Sequence, residues 1–372
     1  MERYLEQQVR ADLKSKMVFV GGARQVGKTT LARTILEDES GYLNWDIPSH
    51  RSRLLQNELP DSELWVFDEI HKYKRWRDFL KGLYDAHQFQ STKRRILVTG
   101  SARLDYYRYG GDSLQGRYHY LRLHPLSVAE LGIETQEQLQ DLLVLGGFPE
   151  PYLSGSEVEA RRWSREYRTR LVEEEIRGVE NLKDLSLLEL LSYRLPELVG
   201  SPLSINALRE DLQVSHKSLS RWLDILERFY AIFRLAPFGS PTIRAVKKSF
   251  KHYQMDWSLV KNQGERLENL VACHLLKWTH YQQDALGRDV DMLYFRDLEN
   301  REIDFIVTED GKPKQAIEVK LSQSAISKPL NYFSKKFPDC DLFQIHLQGD
   351  KDYISPKGVR VMSVLKYLGL LI

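Results

Sequence analysis

The sequence is poor in cysteine, in net charge and in long apolar runs. Its two cysteines, Cys273 and Cys340, stand in unrelated contexts, which excludes a disulfide framework and a cysteine-ligated zinc ribbon. This low cysteine content is typical of a protein of the reducing cytoplasm. The net charge of +2 excludes a generally basic surface, so any binding of nucleic acid must come from local patches. No apolar run approaches the roughly 18 residues that a membrane-spanning helix needs, so we expect no membrane contact.

A glycine-rich loop stands between a predicted strand and a predicted helix near the start of the chain. Met17–Val20 is apolar, and the segment after the loop has helical spacing. The loop matches G-x-x-x-x-G-K-[ST] over Gly22–Thr29. In such loops, backbone N–H groups surround a triphosphate, the lysine reaches its β- and γ-phosphates, and the hydroxyl ligates Mg²⁺. We therefore predict ATP and Mg²⁺ as cofactors, with Lys28 in a catalytic role and Thr29 as a metal ligand. The predicted nucleotide-binding residues of the loop are Gly22, Ala23, Arg24, Gln25, Val26, Gly27, Lys28, Thr29 and Thr30.

A second predicted strand, Leu64–Phe67, runs directly into the carboxylates of Asp68 and Glu69. Ligands bind at the carboxyl edge of a parallel sheet. We predict that Asp68 binds the nucleotide's Mg²⁺ and that Glu69 polarises the attacking water. The alternative is a solvated strand end, but the preceding glycine loop favours the catalytic interpretation.

A third predicted strand, Arg95–Ser101, ends in hydroxyls that would lie beside the γ-phosphate. Either Thr99 or Ser101 could orient water there, and the sequence does not choose between them. Further along, Arg117 is a candidate arginine finger, acting in cis or from a neighbouring subunit, and Arg103 is a weaker candidate. Each arginine is at least as compatible with an ordinary surface ion pair.

The order of these motifs resembles a bacterial and archaeal family of AAA+-type ATPases, in which a P-loop domain precedes a domain of unknown function. The matching elements are Gly22–Thr29, Phe67–His71, Thr99–Ser101, Leu114–Arg117, Pro125–Ser127 and Gly146–Glu150. The resemblance runs essentially from end to end. It implies ATP binding and hydrolysis, and it is compatible with a homo-oligomer, but it does not imply a settled cellular role.

The middle of the chain predicts helices followed by a winged helix. Apolar residues near every fourth position between 156 and 195 predict helices, which would form a lid beside the nucleotide. Ser204 and Ser215 can cap a short helix and a longer one, as in a helix-turn-helix. Two strands around a basic loop would complete the module, and DNA is therefore a candidate partner. The same module also serves protein contacts, and acidic residues dilute its basic face. The residues concerned are His216, Lys217, Ser220 and Arg221 on the recognition helix, Arg244, Lys247, Lys248 and Lys251 in the loop, and the acidic Glu210, Asp224 and Glu227.

The segment from 301 to 320 predicts a hairpin with three charges on one face. Strand alternation allows Asp304, Glu318 and Lys320 to converge. Two carboxylates beside a lysine suit a divalent metal and a phosphate transition state. With Glu268 on the preceding helix, the pattern resembles the PD-(D/E)xK nuclease fold. This resemblance implies that Glu268, Asp304 and Glu318 are metal ligands and that Lys320 activates water. The alternatives are a charged edge strand or a fold that keeps its charges for binding alone.

Together these patterns predict an α/β fold in four parts. They are a P-loop AAA+-like domain with a parallel sheet (1–150), a helical lid (151–195), a winged-helix module (196–260) and a nuclease-like α/β domain (261–372). We expect an Mg-dependent ATPase that acts on nucleic acid through its last two parts. The alternative is an ATP-driven switch or scaffold whose nuclease-like domain is catalytically silent and contacts proteins.

Overall fold

The computed structural model describes residues 1–87, 94–100, 114–177, 184–239 and 249–372. They divide into two compact units, Met1–His124 and Pro125–Ile372. None of the helices in these ranges is both long and apolar enough to cross a membrane. Some residues of the sequence-based predictions lie outside the described residues: Ser101, Arg103, Arg244, Lys247 and Lys248.

The first unit is built on a parallel sheet of five strands. They are β1 (Met17–Gly22), β2 (Tyr42–Asn44), β3 (Leu64–Asp68), β4 (Arg95–Thr99) and β5 (Tyr118–Leu123). Their order is β2-β3-β4-β1-β5, with parallel pairing throughout. β1 and β3 are buried along their whole length, which explains why each reads as a continuous apolar run. The predicted parallel sheet is confirmed. β4 lies between β3 and β1, so the carboxyl ends of these three strands are adjacent.

Helices and a dense aromatic cluster surround this sheet. The described helices are Glu6–Asp12, Lys28–Ile35, Pro48–Gln56 and Trp76–His87. Phe19 of β1 and Phe67 of β3 belong to a core cluster with Leu80 of the last of these helices. These buried contacts set the positions from which the strand ends project.

The second unit begins with helices and a small hairpin. The helices are Val128–Leu131, Gln136–Leu145, Pro149–Ser154, Glu157–Arg170, Leu185–Arg194, Ile205–Asp211 and His216–Arg228, with a π-helical turn at Leu171–Ile176. Ser204 and Ser215 cap the last two helices, as predicted. Strands β6 (Ile232–Leu235) and β7 (Lys251–Gln254) then pair antiparallel. Lys251 was expected in the basic loop, but it begins β7 and is fully buried.

The second unit ends in a mixed sheet of six strands. They are β8 (Val290–Arg296), β9 (Glu302–Glu309), β10 (Lys312–Ser322), β11 (Asp341–Gln348), β12 (Tyr353–Ile354) and β13 (Val359–Ser363), in the order β12-β13-β11-β10-β9-β8. The accompanying helices are Gln263–Asp284, Lys328–Lys336 and Val364–Leu368.

The predicted hairpin is formed by β9 and β10. Asp310 and Gly311 connect the strands with φ of 50° and 72°, the two positive values that a tight two-residue turn requires. The register pairs Ile317 with Phe305. Continued by one residue, it sets Glu318 opposite Asp304, so the hairpin places both carboxylates on one face.

The Gly146–Glu150 motif has a packing role in the second unit. Gly147 passes between the ring of Trp257 and the backbone of Leu126, whose N–H donates to the Gly147 carbonyl at 2.7 Å. A Cβ at Gly147 would lie 2.3 Å from Cη2 of Trp257 and 2.9 Å from the carbonyl oxygen of Leu126. Phe148 then packs on Trp163, with ring centroids 4.8 Å apart.

We predict that Gly147→Ala lowers the free energy of unfolding of the second unit by about 1–3 kcal/mol, because the added methyl overpacks a closed contact. Urea unfolding followed by tryptophan fluorescence measures the change. Gly82→Ala is the control, since a Cβ there meets no described atom within 4 Å, and the exposed helical site should gain up to about 1 kcal/mol. Equal unfolding midpoints for Gly147→Ala and the wild-type protein would contradict this account.

Candidate nucleotide site and acidic cluster

The glycine loop of the first unit needs glycine for two different reasons. β1 ends at Gly22, where φ is 139° and a Cβ would lie 2.3 Å from the carbonyl oxygen of Leu123 on β5. Gly27 has φ of 100° and caps the Lys28–Ile35 helix in a left-handed conformation. The first position therefore permits close strand packing, and the second allows the loop to turn into the helix. The free N–H groups of the helix start then face the loop.

The remaining loop residues divide into a buried inner side and an accessible outer side. Ala23 and Val26 are buried, Arg24 is half-buried, and Gln25, Thr29 and Thr30 are exposed. Lys28 is buried, and its ammonium donates to the carbonyl of Gly22 at 3.1 Å and to that of Ala23 at 2.6 Å. The loop thus holds a fixed positive charge where the helix dipole also favours an anion.

Asp68 is the centre of the hydrogen-bond network at the carboxyl edge of the sheet. It is buried, with an exposed fraction of 3%. Thr29 and Tyr42 donate to Oδ2 at 2.8 and 2.7 Å, and Thr99 donates to Oδ1 at 2.6 Å. Burial and the nearby carboxylate raise the pKa of Tyr42 to about 12. The sequence-predicted residues Thr29, Asp68 and Thr99 therefore come together at one point.

Glu69 lies beside this network in a strained backbone conformation. Its φ and ψ of 56° and 20° are left-handed, which is costly for a residue other than glycine. Its N–H donates to the Thr99 carbonyl at 3.0 Å, and its carboxylate lies 3.2 Å from Nζ of Lys72 and 3.5 Å from Nε2 of His71. Burial raises the pKa of Glu69, while Lys72 and Lys28 act in the opposite direction. A carboxylate with a raised pKa is better matched to proton transfer near neutral pH.

The fold does not bring Arg117 to the glycine loop of its own chain. Arg117 precedes β5, whose residue Tyr118 aligns with Met17 at the amino end of β1. The loop is at the other end of β1, roughly 17–20 Å away at about 3.3 Å per residue. Arg117 instead forms a two-point ion pair with Asp85, at 2.8 and 3.1 Å. A finger role in cis is incompatible with this position, and a role from a neighbouring subunit stays a prediction.

The sequence-based predictions missed several residues around the candidate nucleotide site. Tyr42 and Asn44 lie on β2, which is too short for its pattern to stand out. Arg3 is buried and donates to the carbonyls of Val26 at 2.7 Å and of His124 at 2.5 Å, so it ties the glycine loop to the residue after β5. No motif marks such an arginine, because its partners are backbone carbonyls more than twenty positions away in sequence.

An acidic cluster forms in the second unit from the residues that the hairpin pattern singled out. Asp304 Oδ2 accepts from the N–H of Val319 at 2.8 Å, and Glu318 Oε1 accepts from Lys320 at 2.7 Å. Tyr253, on β7, donates to Glu268 at 2.7 Å. Burial, reinforced by the Asp304 carboxylate, raises the pKa of Glu268 to about 8 and that of Glu318 to about 7.

Lys251 lies in the middle of this cluster. Its Nζ is 2.6 Å from Glu302, 3.2 Å from Glu268 and 3.8 Å from Asp304. In the part of the chain that the structure describes, no three His, Cys, Asp or Glu side chains are arranged to hold a metal ion. The predicted ligands Glu268, Asp304 and Glu318 do converge, but around an ammonium rather than as a ligand set. The position of Lys251 among these carboxylates was not apparent from the sequence, because Lys251 ends a segment whose composition is typical of a basic loop.

The His216–Arg228 helix exposes side chains that were predicted to line a recognition helix. His216, Lys217 and Arg221 are exposed. Two of the three acidic residues that were expected to dilute this face are paired with Arg234, which donates to Asp224 at 2.6 Å and to Glu227 at 2.9 Å.

Comparisons with known protein families match three successive segments of the chain. Residues 14–132 match a family described as AAA domain. Residues 136–267 and 263–367 match two domains of unknown function, DUF8612 and DUF4143. Among relatives, an uncharacterized protein of Haemophilus influenzae is 24% identical over 89% of this chain and 87% of its own length. The uncharacterized protein Rv2008c of Mycobacterium tuberculosis is 25% identical over 86% of this chain and 74% of its own.

Solved structures give weaker likenesses. The Walker-type ATPase PABY2304 of Pyrococcus abyssi is 15% identical, with a TM-score of 0.44 over 70% of this chain and 94% of that one. The Orc1 protein of Aeropyrum pernix, solved in complex with DNA, is 14% identical, with a TM-score of 0.34 over 73% and 93%. The first unit thus combines a match to the AAA domain family over residues 14–132 with the five-stranded parallel sheet of a P-loop NTPase fold.

Proposed function

We propose that the first unit binds Mg·ATP and hydrolyses it to ADP and phosphate. The observation that carries the proposal is the buried Asp68 carboxylate, which accepts from Thr29 of the loop helix and from Thr99 of β4. Water attacks the γ-phosphorus, the bond to the β–γ bridging oxygen breaks, and the water proton passes to a base. Glu69 would take that proton.

The donor set beside the loop fits Mg²⁺. The hydroxyl of Thr29 and the carboxylate of Asp68 are hard oxygen donors that already lie 2.8 Å apart. These two residues would hold the ion, and the ion would neutralise charge on the β- and γ-phosphates. Lys28 supplies a second positive charge from the loop.

Thr99 is suited to orient the attacking water. Its hydroxyl hydrogen is used by Asp68 at 2.6 Å, so its oxygen remains an acceptor for a water hydrogen. The backbone bond from Glu69 N–H to the Thr99 carbonyl joins the two segments that carry these side chains.

Lys28→Ala should weaken ATP binding by at least about tenfold, since it removes a charge-assisted contact to phosphate. Calorimetric titration with ATP and Mg²⁺ measures the dissociation constant. Lys14→Ala removes an exposed lysine of the same unit and should leave it unchanged. Unaltered ATP affinity in Lys28→Ala would refute the assignment of the loop.

Glu69→Gln should keep ATP binding and slow hydrolysis by about 10²–10⁴-fold, because the amide has the shape of the base but cannot accept the proton. Release of phosphate under saturating ATP measures the rate. Glu63→Gln changes an exposed glutamate just before β3 and serves as the control. A wild-type rate in Glu69→Gln would place the base elsewhere.

We further propose that nucleic acid binds the second unit along the His216–Arg228 helix and stimulates the ATPase. The observation that favours this function is the pairing of Asp224 and Glu227 with Arg234, which leaves the exposed face of the helix with a cationic surplus. Phosphate contacts of this kind give affinity without sequence reading and weaken as salt rises. The competing function is an ATP-driven switch that contacts proteins.

Adding DNA or RNA to the wild-type protein should raise the ATPase rate, and the rise should shrink with salt. The double variant Lys217→Glu/Arg221→Glu should reduce the ratio of stimulated to basal rate towards one, because it reverses the charge of the face. Lys261→Glu, at a lysine whose side chain is 85% exposed, is the control. If neither DNA nor RNA changes the wild-type rate, the switch function is favoured instead.

A further inference from the structure

The acidic cluster of the second unit concentrates negative charge, and Lys251 supplies a positive charge inside it. The cluster contains four carboxylates. They belong to Glu268 of the Gln263–Asp284 helix, Glu302 and Asp304 of β9, and Glu318 of β10. The side chain of Lys251 is fully buried, with 0% exposed, and its Nζ lies within 4 Å of three of these carboxylates. A buried ammonium is retained only where such partners compensate for its lost hydration.

One oxygen on each of the three predicted metal ligands is already engaged. Glu268 Oε1 accepts from both Lys251 and Tyr253. Asp304 Oδ2 accepts from the backbone of Val319, and Glu318 Oε1 accepts from Lys320. A divalent cation requires about six oxygens at 2.0–2.6 Å, so it cannot share this space with an ammonium held by the same carboxylates.

One buried oxygen remains. Oε2 of Glu318 has no hydrogen-bond partner among the described residues. Lys251 and Lys320 supply positive charge inside the cluster, Lys251 beside Glu302 and Lys320 beside Glu318.

We infer that Lys251 is a resident cation in the place where the nuclease resemblance expects a metal, and that this domain therefore binds no divalent ion there and cuts no nucleic acid by metal-dependent chemistry. The ammonium instead fastens β7, and with it the β6–β7 hairpin, to β9 and to the Gln263–Asp284 helix. The cluster is a structural contact that links elements of the second unit. Any action of this domain on a nucleic acid or a protein partner is by binding rather than by cleavage.

Binding of Mn²⁺ to the full chain without nucleotide tests this inference by electron paramagnetic resonance. The wild type and Asp304→Asn should bind the same number of ions. Lys251→Met removes the ammonium with little change in volume and should gain one Mn²⁺, which should be lost again in Lys251→Met/Asp304→Asn. Lys261→Met, at an exposed lysine of the same unit, should behave as the wild type.

Several results would overturn the inference. One is a wild-type Mn²⁺ site that Asp304→Asn removes, and another is Mn²⁺-dependent cleavage of DNA or RNA that Asp304→Asn abolishes. A folded Lys251→Met protein that gains no ion would show that Lys251 is not what excludes the metal. If circular dichroism shows that Lys251→Met does not fold, the comparison of the wild type with Asp304→Asn decides alone. Because the Mn²⁺-binding measurements contain no ATP, their outcome does not depend on the proposed ATPase activity.

Discussion

The first unit depends on one buried anion. A carboxylate removed from water must receive hydrogen bonds, and Asp68 receives them from the start of the loop helix, from β2 and from β4. These donors come from segments far apart in sequence, so the network holds the strand ends in register at one edge of the sheet. Because the partners are neutral hydroxyls, the charge of Asp68 is stabilised but not cancelled, and it remains available to a cation.

The second unit contains the opposite arrangement. Lys251 is a buried cation whose partners are carboxylates, so its single positive charge offsets part of the negative charge of the acids around it. The same rule, that a buried charge needs partners, thus leads to different chemistry in the two units. We expect the hydroxyl partners to leave Asp68 able to bind a metal, whereas the carboxylates around Lys251 are engaged with an ammonium. Similar constellations of acids and lysines therefore do not imply similar functions.

The sequence predicted the elements whose causes are local. The Gly22–Thr29 loop was visible because its backbone geometry demands glycine at fixed positions, and the β9–β10 hairpin was visible because strand alternation marks it. The convergence of Asp304 and Glu318 followed from the same alternation. By contrast, the sequence suggested Arg117 as a finger in cis or from a neighbouring subunit, and the strand direction places it at the far edge of its own sheet.

Taken alone, the sequence determined where the chain turns, which strands are buried and which residues can carry phosphate chemistry, because these properties depend on neighbours one to four positions away. The tertiary structure decided which charges meet. It turned Lys251 from a residue of a basic loop into the centre of an acidic cluster, and it added Tyr42 and Arg3 to the nucleotide site. Electrostatic partners are set by distance in space and by burial, and neither quantity can be read from spacing along the chain.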